Sequence, residues 1–321
     1  IRFMELKVNA YSYTPTSSPY RRHTATMLLT SLHCQRNSKM LSSDLCLSES
    51  EQKYVKSVLQ SPPQSLLLVG EPGFGKTTLA KHIADELTMH RKYLQLYIEP
   101  LVDIDSITID QARQIKKFFV LRANDSTSKR VVIIDNADLM TTEAQNSLLK
   151  TLEEPPVNCY IVLTSSRPQR LLSTILSRLT TRHLIAPSFA ELNSYLAKYY
   201  DSAKINQTLA FTGLLPGLAV STLKEESTPI SKSVASAKEI LSMPTVERLR
   251  LADKLSKSRN DAVLMVESLF IVSNAATMNA VENDKPTDKW ATLLSSTSTA
   301  LAQLDKNAST KLVLTNLFLS I

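Results

Sequence analysis

The chain has 321 residues, enough for two or three domains that each bury a core of their own. Its hydrophobic share of 43% and charged share of 21% are typical of a soluble globular protein. No run of about 18 or more apolar residues is present to cross a membrane. The net charge of +7 favours contact with polyanions without identifying one. The three cysteines lie far apart with no CxxC pair, so neither a disulfide framework nor a zinc site is indicated.

The first segment, residues 1–44, has neither a helical nor a strand period, and we expect an unassigned or disordered extension there. Its basic pair Arg21-Arg22 precedes an apolar stretch that is too short for a signal peptide, and no small-residue cleavage site follows. We therefore expect a cytoplasmic protein without a membrane segment.

From Ser65 onward, short aliphatic runs alternate with helical segments. Continuous runs of this kind are typical of strands buried on both faces of a parallel sheet. Two helices carry start signals: Thr108 with Gln111, and Thr142 with Gln145, have the spacing of capping boxes, and Pro155-Pro156 would end the second. The alternation predicts a doubly wound α/β domain over residues 45–187. The predicted strands are 65–70, 93–98, 130–135, 159–165 and 181–186.

After Pro187 the strand signal disappears. Residues 188–224 predict a small domain of short helices that breaks at Gly213 and Pro216-Gly217, and residues 225–321 predict longer amphipathic helices. The stretch 261–276 fits either a collar between subunits or an intramolecular core.

A phosphate-binding loop stands between the first predicted strand and a helix. The chain has only five glycines, and three of them fall within the six positions Gly70 to Gly75. The segment GEPGFGKT fits the pattern GxxxxGK[ST], in which glycines let backbone N–H groups converge on an anion at a helix N-terminus. Lys76 would reach the outer phosphates of a nucleoside triphosphate, and Thr77 would hold Mg²⁺. The predicted nucleotide-binding residues are Gly70, Gly73, Gly75, Lys76, Thr77 and Thr78.

A second buried strand supplies the other half of a metal site. Asp135 ends the run VVIID at the carboxyl edge of the predicted sheet, where ligands of such sheets gather. A carboxylate there suits Mg²⁺, which takes few protein ligands together with phosphate oxygens. The next residue, Asn136, can hydrogen-bond an attacking water but cannot accept its proton. Asp138, two residues further on, is the candidate carboxylate for that role.

At this point the sequence resembles the AAA+ clamp-loader family of DNA replication over about residues 50–321. The segments that carry the resemblance are LLLVGEPGFGKTTLA, IIDNADLMTTEAQNSLLKTLEEPP and PQRLLSTILSRL. The resemblance implies a P-loop AAA+ parallel-sheet domain, then a small helical lid domain and a C-terminal helical collar domain. It further implies ATP and Mg²⁺ as cofactors. The implied partners are other clamp-loader subunits in a hetero-oligomeric ring, and the sliding clamp and primed DNA through that ring.

The resemblance also implies roles that spacing alone does not. Ser177-Arg178 matches the first two positions of the family's Ser-Arg-Cys motif, so Arg178 would act as a finger on the ATP of a neighbouring subunit. Ser165, or the adjacent Ser166, falls at the position that senses the γ-phosphate. Three departures accompany these matches: Asn136 replaces a glutamate, Pro216 or a neighbour stands where a sensing arginine is usual, and the four-cysteine zinc module is absent.

Two classes of function remain open from the sequence. The favoured hypothesis is a structural and regulatory subunit that holds ATP, hydrolyses it weakly or not at all, and donates Arg178. The alternative is a catalytically active ATPase subunit, or another AAA+ remodelling ATPase, with Asp138 or a partner as the base. A P-loop small-molecule kinase is disfavoured, because a helical tail of about a hundred residues has no place in one.

Overall fold

The computed structural model describes residues 46–101, 104–120, 128–226 and 228–321. The predicted extension over 1–44 lies outside these residues. Five parallel strands form one sheet in the order β2-β3-β4-β1-β5. The predicted α/β class is confirmed, and the last strand is shorter than its aliphatic pattern suggested. The strands are β1 (Ser65–Val69), β2 (Gln95–Ile98), β3 (Arg130–Ile134), β4 (Cys159–Ser165) and β5 (Thr180–His183).

Helices cover both faces of the sheet. On one face, alternate residues of the central strands pack with the helices that follow β2 and β3; on the other, the intervening residues pack with the first two helices. All five residues of β1 and of β3 are buried, which explains why these strands are continuous rather than alternating in sequence. The helices of this part are α1 (Glu49–Gln60), α2 (Lys76–Leu87), α3 (Ile109–Val120), α4 (Thr142–Glu153) and the short α5 (Ser173–Leu176).

The two predicted capping boxes have different outcomes. At α3, the Thr108 amide donates to Gln111 Oε1 at 3.0 Å and the Gln111 amide donates to Thr108 Oγ1 at 3.5 Å, so the reciprocal pair forms. At α4 the prediction was wrong, because the N-cap is Thr141, whose hydroxyl accepts from the Ala144 amide at 3.2 Å. Gln145 is buried and is used in a tertiary contact instead, which no local spacing encodes.

A region of eight helices follows the sheet within the described residues. Its central helix, α11, is long and apolar enough to cross a membrane by length and composition, but 56% of its apolar window is buried inside the protein. Residues 261–276 lie in this helix, and their apolar side chains form the core of the region. The intramolecular reading of that stretch is therefore the observed one. The helices are α6 (Phe189–Leu196), α7 (Ser202–Thr212), α8 (Pro216–Leu223), α9 (Pro229–Ser242), α10 (Thr245–Leu255), α11 (Arg259–Glu282), α12 (Asp288–Asp305) and α13 (Thr310–Ser320).

Candidate nucleotide-binding site

The glycine-rich loop runs from the end of β1 into α2. Gly73 and Gly75 have φ angles of +81° and +93°, a conformation that L side chains rarely adopt. Gly75 is the N-cap of α2 and provides no side-chain cap, so the first N–H groups of this helix are left for another acceptor. Such free N–H groups and the positive end of the helix dipole suit a phosphate group. The loop therefore has the backbone geometry that its sequence predicts.

Lys76 is the first residue of α2 and is only 6% exposed. Its Nζ donates to the carbonyls of Gly70 and Glu71 and to Ser166 Oγ, each at 2.9 Å. Burial lowers the pKa of Lys76 to about 8, while the nearby carboxylates, Asp138 foremost, oppose that shift. A phosphate oxygen arriving here would exchange for one of these neutral acceptors and gain a charge-assisted hydrogen bond.

Three hydroxyl groups converge on Asp135, directly after β3. Its Oδ1 accepts from Thr77 Oγ1 at 2.7 Å and from Thr164 Oγ1 at 2.6 Å, and its Oδ2 accepts from Tyr97 OH at 2.7 Å. Burial, followed by the Asp135 charge, raises the pKa of Tyr97, which keeps the phenol protonated as a donor. The predicted pair Thr77 and Asp135 thus lies in contact at the carboxyl edge of the sheet. Oxygen donors of this kind are those that Mg²⁺ prefers, so the residues fit a magnesium-bound phosphate.

The serines at the end of β4 have different surroundings. Ser165 is fully buried, and its Oγ donates to Asp138 Oδ1 at 2.7 Å and accepts from the Arg167 amide at 3.0 Å. Ser166 contacts Lys76 and also donates its amide to Asp138 at 3.2 Å. Of the two candidate sensors, Ser166 is therefore the one beside the lysine, and Ser165 supports the carboxylate of Asp138.

A cavity of about 650 Å³ opens above the loop. The loop and the strand ends form its floor, and the helical region forms its other wall through α8, α9 and α11. Gly73, Gly75, Lys76, Thr77 and Thr78 line it, whereas Gly70 contributes its carbonyl to Lys76. Its other lining residues from the strand ends include Asn136, Asp138, Ser166 and Arg167.

The start of α8 sits directly on the loop. The Leu218 amide donates to the Gly73 carbonyl at 2.8 Å, and a Cβ at Gly217 would lie 2.8 Å from both that carbonyl oxygen and the Gly75 nitrogen. Pro216, the first residue of α8, is buried. The start of α8 therefore contacts the loop through uncharged residues, backbone to backbone.

Arg178 lies apart from this cavity. It follows α5 on the surface, with about a third of its side chain exposed, and Nη2 bonds Glu153 Oε1 at 2.5 Å. Its Nη1 donates to the Thr174 carbonyl at 2.7 Å. The helix before it is held by Gln145, whose Oε1 accepts from the Leu172 amide at 2.8 Å. The structure therefore brings the loop, Thr77, Asp135 and Ser166 together, and leaves Arg178 facing outward.

Three contributors had not been singled out from the sequence. Tyr97 and Thr164 are ordinary strand residues by pattern, and only the parallel register of the sheet brings them to Asp135. Arg167 follows the serines and pairs with Glu267 of α11, 100 residues away. A polar residue near the carboxyl end of each strand was the one available signal for Tyr97 and Thr164. No local signal marks a pair such as Arg167 and Glu267.

Comparisons with known proteins found a matching family and similar sequences. A family model described as DNA polymerase III, delta subunit, matches residues 23–187, about half of the chain. The DNA polymerase III subunit delta' of Pseudomonas aeruginosa is 34% identical over 173 residues, which are 47% of this chain and 52% of that protein. The subunit of the same name from Haemophilus influenzae is 37% identical over 123 residues, 37% of each chain. The chain thus spans about half the length, or less, of these relatives.

A solved structure is also similar. A DNA polymerase III gamma subunit-related protein from Thermotoga maritima aligns with a TM-score of 0.46 and 21% identity, covering 83% of this chain and 97% of that one.

The parallel sheet, the glycine-rich loop and the Thr77–Asp135 pair define a P-loop α/β protein of the AAA+ class, followed by a helical region. Within that class, the motifs had most resembled the bacterial DNA polymerase III delta-prime subunit. The family match and the named relatives confirm that resemblance. The chain belongs to the DNA polymerase III delta subunit family, and its sequence is similar to proteins of that family named subunit delta'.

Proposed function

We propose that this chain binds Mg²⁺ and ATP at the loop, hydrolyses ATP weakly or not at all by itself, and supplies Arg178 to the ATP of a neighbouring subunit. In this proposal it works in the cytoplasm within a hetero-oligomeric ring of ATPase and delta-type subunits that loads the sliding clamp on primed DNA. We further propose the division into a nucleotide-binding domain (45–187), a lid (188–224) and a collar (225–321). Zinc has no part in it.

One observation carries this proposal. The loop faces the chain's own cavity, whereas Arg178 stands outside that cavity on the surface, paired with the partly exposed Glu153. A surface ion pair of this kind is worth little, about 0–1 kcal/mol, so a phosphate of a neighbouring subunit can replace Glu153 at small cost. Charge that develops on a transferred phosphoryl group would then gain a guanidinium partner.

The low expected hydrolysis rests on Asn136. This residue follows the metal-binding candidate Asp135, is exposed and lines the cavity, but an amide takes no proton from water. Asp138 is the observation that favours the alternative of an active ATPase, because it also lines the cavity. Ser165 and the Ser166 amide hold its Oδ1, which suggests that it orients the serines rather than an attacking water.

The test is ATP hydrolysis by a loader reconstituted with the other subunits of the same organism, its clamp and primed DNA. Arg178→Ala is expected to lower turnover by the complex by a hundredfold or more, since a finger supplied to a neighbour contributes roughly 10³ or more in rate. The chain's own binding of an ATP analogue should not change. Arg113→Ala is the matched control, because Arg113 is also exposed and paired with one carboxylate, Asp110.

Measurements on the isolated chain distinguish a regulatory subunit from an active ATPase. We expect weak turnover or none without partners, and Lys76→Ala is expected to abolish binding of a labelled ATP analogue. Turnover by the isolated chain as fast as that of the complex, removed by Lys76→Ala and left intact by Arg178→Ala, would make it an ATPase in its own right. Unchanged analogue binding in Lys76→Ala would refute the loop as the nucleotide site.

A further inference from the structure

The helical region forms the wall of the cavity opposite the loop. A cluster of ion pairs holds this region against the segment that follows β4. Arg167, directly after the candidate sensor Ser166, pairs with Glu267 of α11. Both side chains are nearly buried, at 12% and 13% exposed. Asp305, the last residue of α12, lies 3.9 Å from Arg167 Nε and 3.2 Å from Arg170 Nη2. The segment after β4 is thus tied through Arg167 and Arg170 to two helices that lie 100 or more positions further along the chain.

Two further contacts keep this wall in place. The Leu218 amide donates to the Gly73 carbonyl at 2.8 Å, and the Asn260 side chain donates to the Asp105 carbonyl at 3.4 Å. The cavity is therefore bounded by the loop on one side and by α8 and the first half of α11 on the other. A nucleotide has to share this space with the helical region.

The charge inside the cavity opposes a triphosphate in this arrangement. Among the described residues that line it, five carboxylates face two cations, Lys76 and Arg167, and Arg167 is already paired with Glu267. Burial raises the pKa of Glu267, and the Arg167 charge opposes that shift. The carboxylates are Asp105, Asp138, Glu226, Asp261 and Glu267.

We propose that the Arg167–Glu267 pair is a latch that holds the helical region closed over the loop, and that a nucleotide phosphate opens it by taking Glu267's place on Arg167. Arg167 donates one hydrogen bond to Glu267, from Nη2 to Oε1. A guanidinium binds a phosphate oxygen as well as a carboxylate oxygen, so the exchange keeps a charge-assisted hydrogen bond. Glu267 is then left without its partner in a buried setting, which pushes α11 away. This inference rests on the proposed ATP binding and adds to it a route by which occupancy of the site reaches the helical region.

The latch has a measurable consequence for affinity. A protein whose binding-competent state is populated at only about a tenth binds about tenfold more weakly than its open form would. Weakening the latch should therefore tighten nucleotide binding. By the reciprocity of linked equilibria, nucleotide should loosen the contact between α11 and the segment around Arg167.

Two substitutions separate the latch from simple repulsion. Glu267→Gln removes the charge, whereas Glu267→Asp keeps the charge and shortens the side chain by one methylene, which lengthens and weakens its contact with Arg167. Affinity for a fluorescent, slowly hydrolysed ATP analogue with Mg²⁺ is measured by anisotropy on the full chain. Hydrogen exchange of residues 259–268 is followed with and without the analogue. The control is Asp253→Asn, which breaks the exposed ion pair with Lys311 in the same helical region.

We expect both Glu267 variants to bind the analogue about tenfold more tightly and to exchange faster in α11 before nucleotide is added, with Asp253→Asn unchanged. A gain for Glu267→Gln alone would refute the latch in favour of charge repulsion. No gain in either variant, with the unmodified chain still binding, would refute the latch and leave the proposed ATP binding standing. A folded chain that binds no analogue in any form would refute both.

Discussion

Gly217→Ala tests the seating of α8 on the glycine-rich loop. An alanine Cβ at this position would lie 2.8 Å from the Gly73 oxygen, 2.8 Å from the Gly75 nitrogen and 2.9 Å from the Gly75 Cα. All three atoms are backbone, so no side chain can turn away to relieve the contact. The helix has to move, and the hydrogen bond from the Leu218 amide to the Gly73 carbonyl is stretched with it.

The expected loss follows from these contacts. Overpacking costs about 1–3 kcal/mol, and the weakened hydrogen bond adds about 1 kcal/mol. Alanine has fewer backbone conformations than glycine in the unfolded chain, which offsets about 0.4–1 kcal/mol of this loss. The net decrease in the free energy of unfolding is about 1–4 kcal/mol, which lowers Tm by roughly 1.5–6 °C, because an entropy of unfolding of about 2.1 cal/mol/K per residue gives about 1.5 °C per kcal/mol for a chain of this size.

Gly70→Ala is the matched control. Its Cβ would find its nearest neighbour, Phe74 Cγ, at 3.5 Å, an ordinary contact, and its φ is not positive. We expect this variant to stay within about 0.5 kcal/mol of the unmodified chain. Urea and thermal unfolding, followed by circular dichroism, compare the three proteins. Equal stability of Gly217→Ala and Gly70→Ala would refute the close packing of α8 on the loop.

Three other substitutions probe contacts away from the loop. Gln145→Leu leaves the Leu172 amide without its acceptor and should cost about 1–3 kcal/mol in urea unfolding; an unchanged midpoint would contradict the role given to this buried amide. Glu51→Gln deprives Arg182 of its carboxylate, for which we expect a loss of about 1.5–3 kcal/mol, and equal stability would mean that the pair contributes nothing. Burial lowers the pKa of Lys238 to about 8 from an ordinary 10.5, because the folded state disfavours its charged form. The free energy of unfolding therefore rises between pH 8 and 10.5, where the unfolded state binds the proton and the folded state does not. Lys238→Met should therefore be the more stable form at pH 7 and lose that advantage by pH 10, and a difference independent of pH would contradict the shift.

The sequence by itself predicted the features that depend only on residues close together in the chain. Continuous aliphatic runs predicted β1, β3 and β4 to within one residue, because strands buried on both faces leave no polar alternation to misread. The capping pair of Thr108 and Gln111 was also predictable, since its partners are three residues apart on one turn. The loop GEPGFGKT and Asp135 were recognisable for the same reason: their chemistry is set by neighbours in the chain.

The tertiary structure decided what depends on distant partners. Gln145 has the spacing of a cap, but the Leu172 amide offers it a buried tertiary contact, and Thr141 takes the cap instead. Tyr97 reaches Asp135 only because β2 and β3 pair in parallel register.

The contact between the helical region and the segment after β4 is the clearest example of a feature that only the tertiary structure decides. Arg167 and Glu267 are 100 positions apart, and each alone has the pattern of a solvated surface charge. Periodicity records which face of a helix or strand is buried, whereas the pairing of two buried charges depends on how separate elements pack, and only the folded chain determines that.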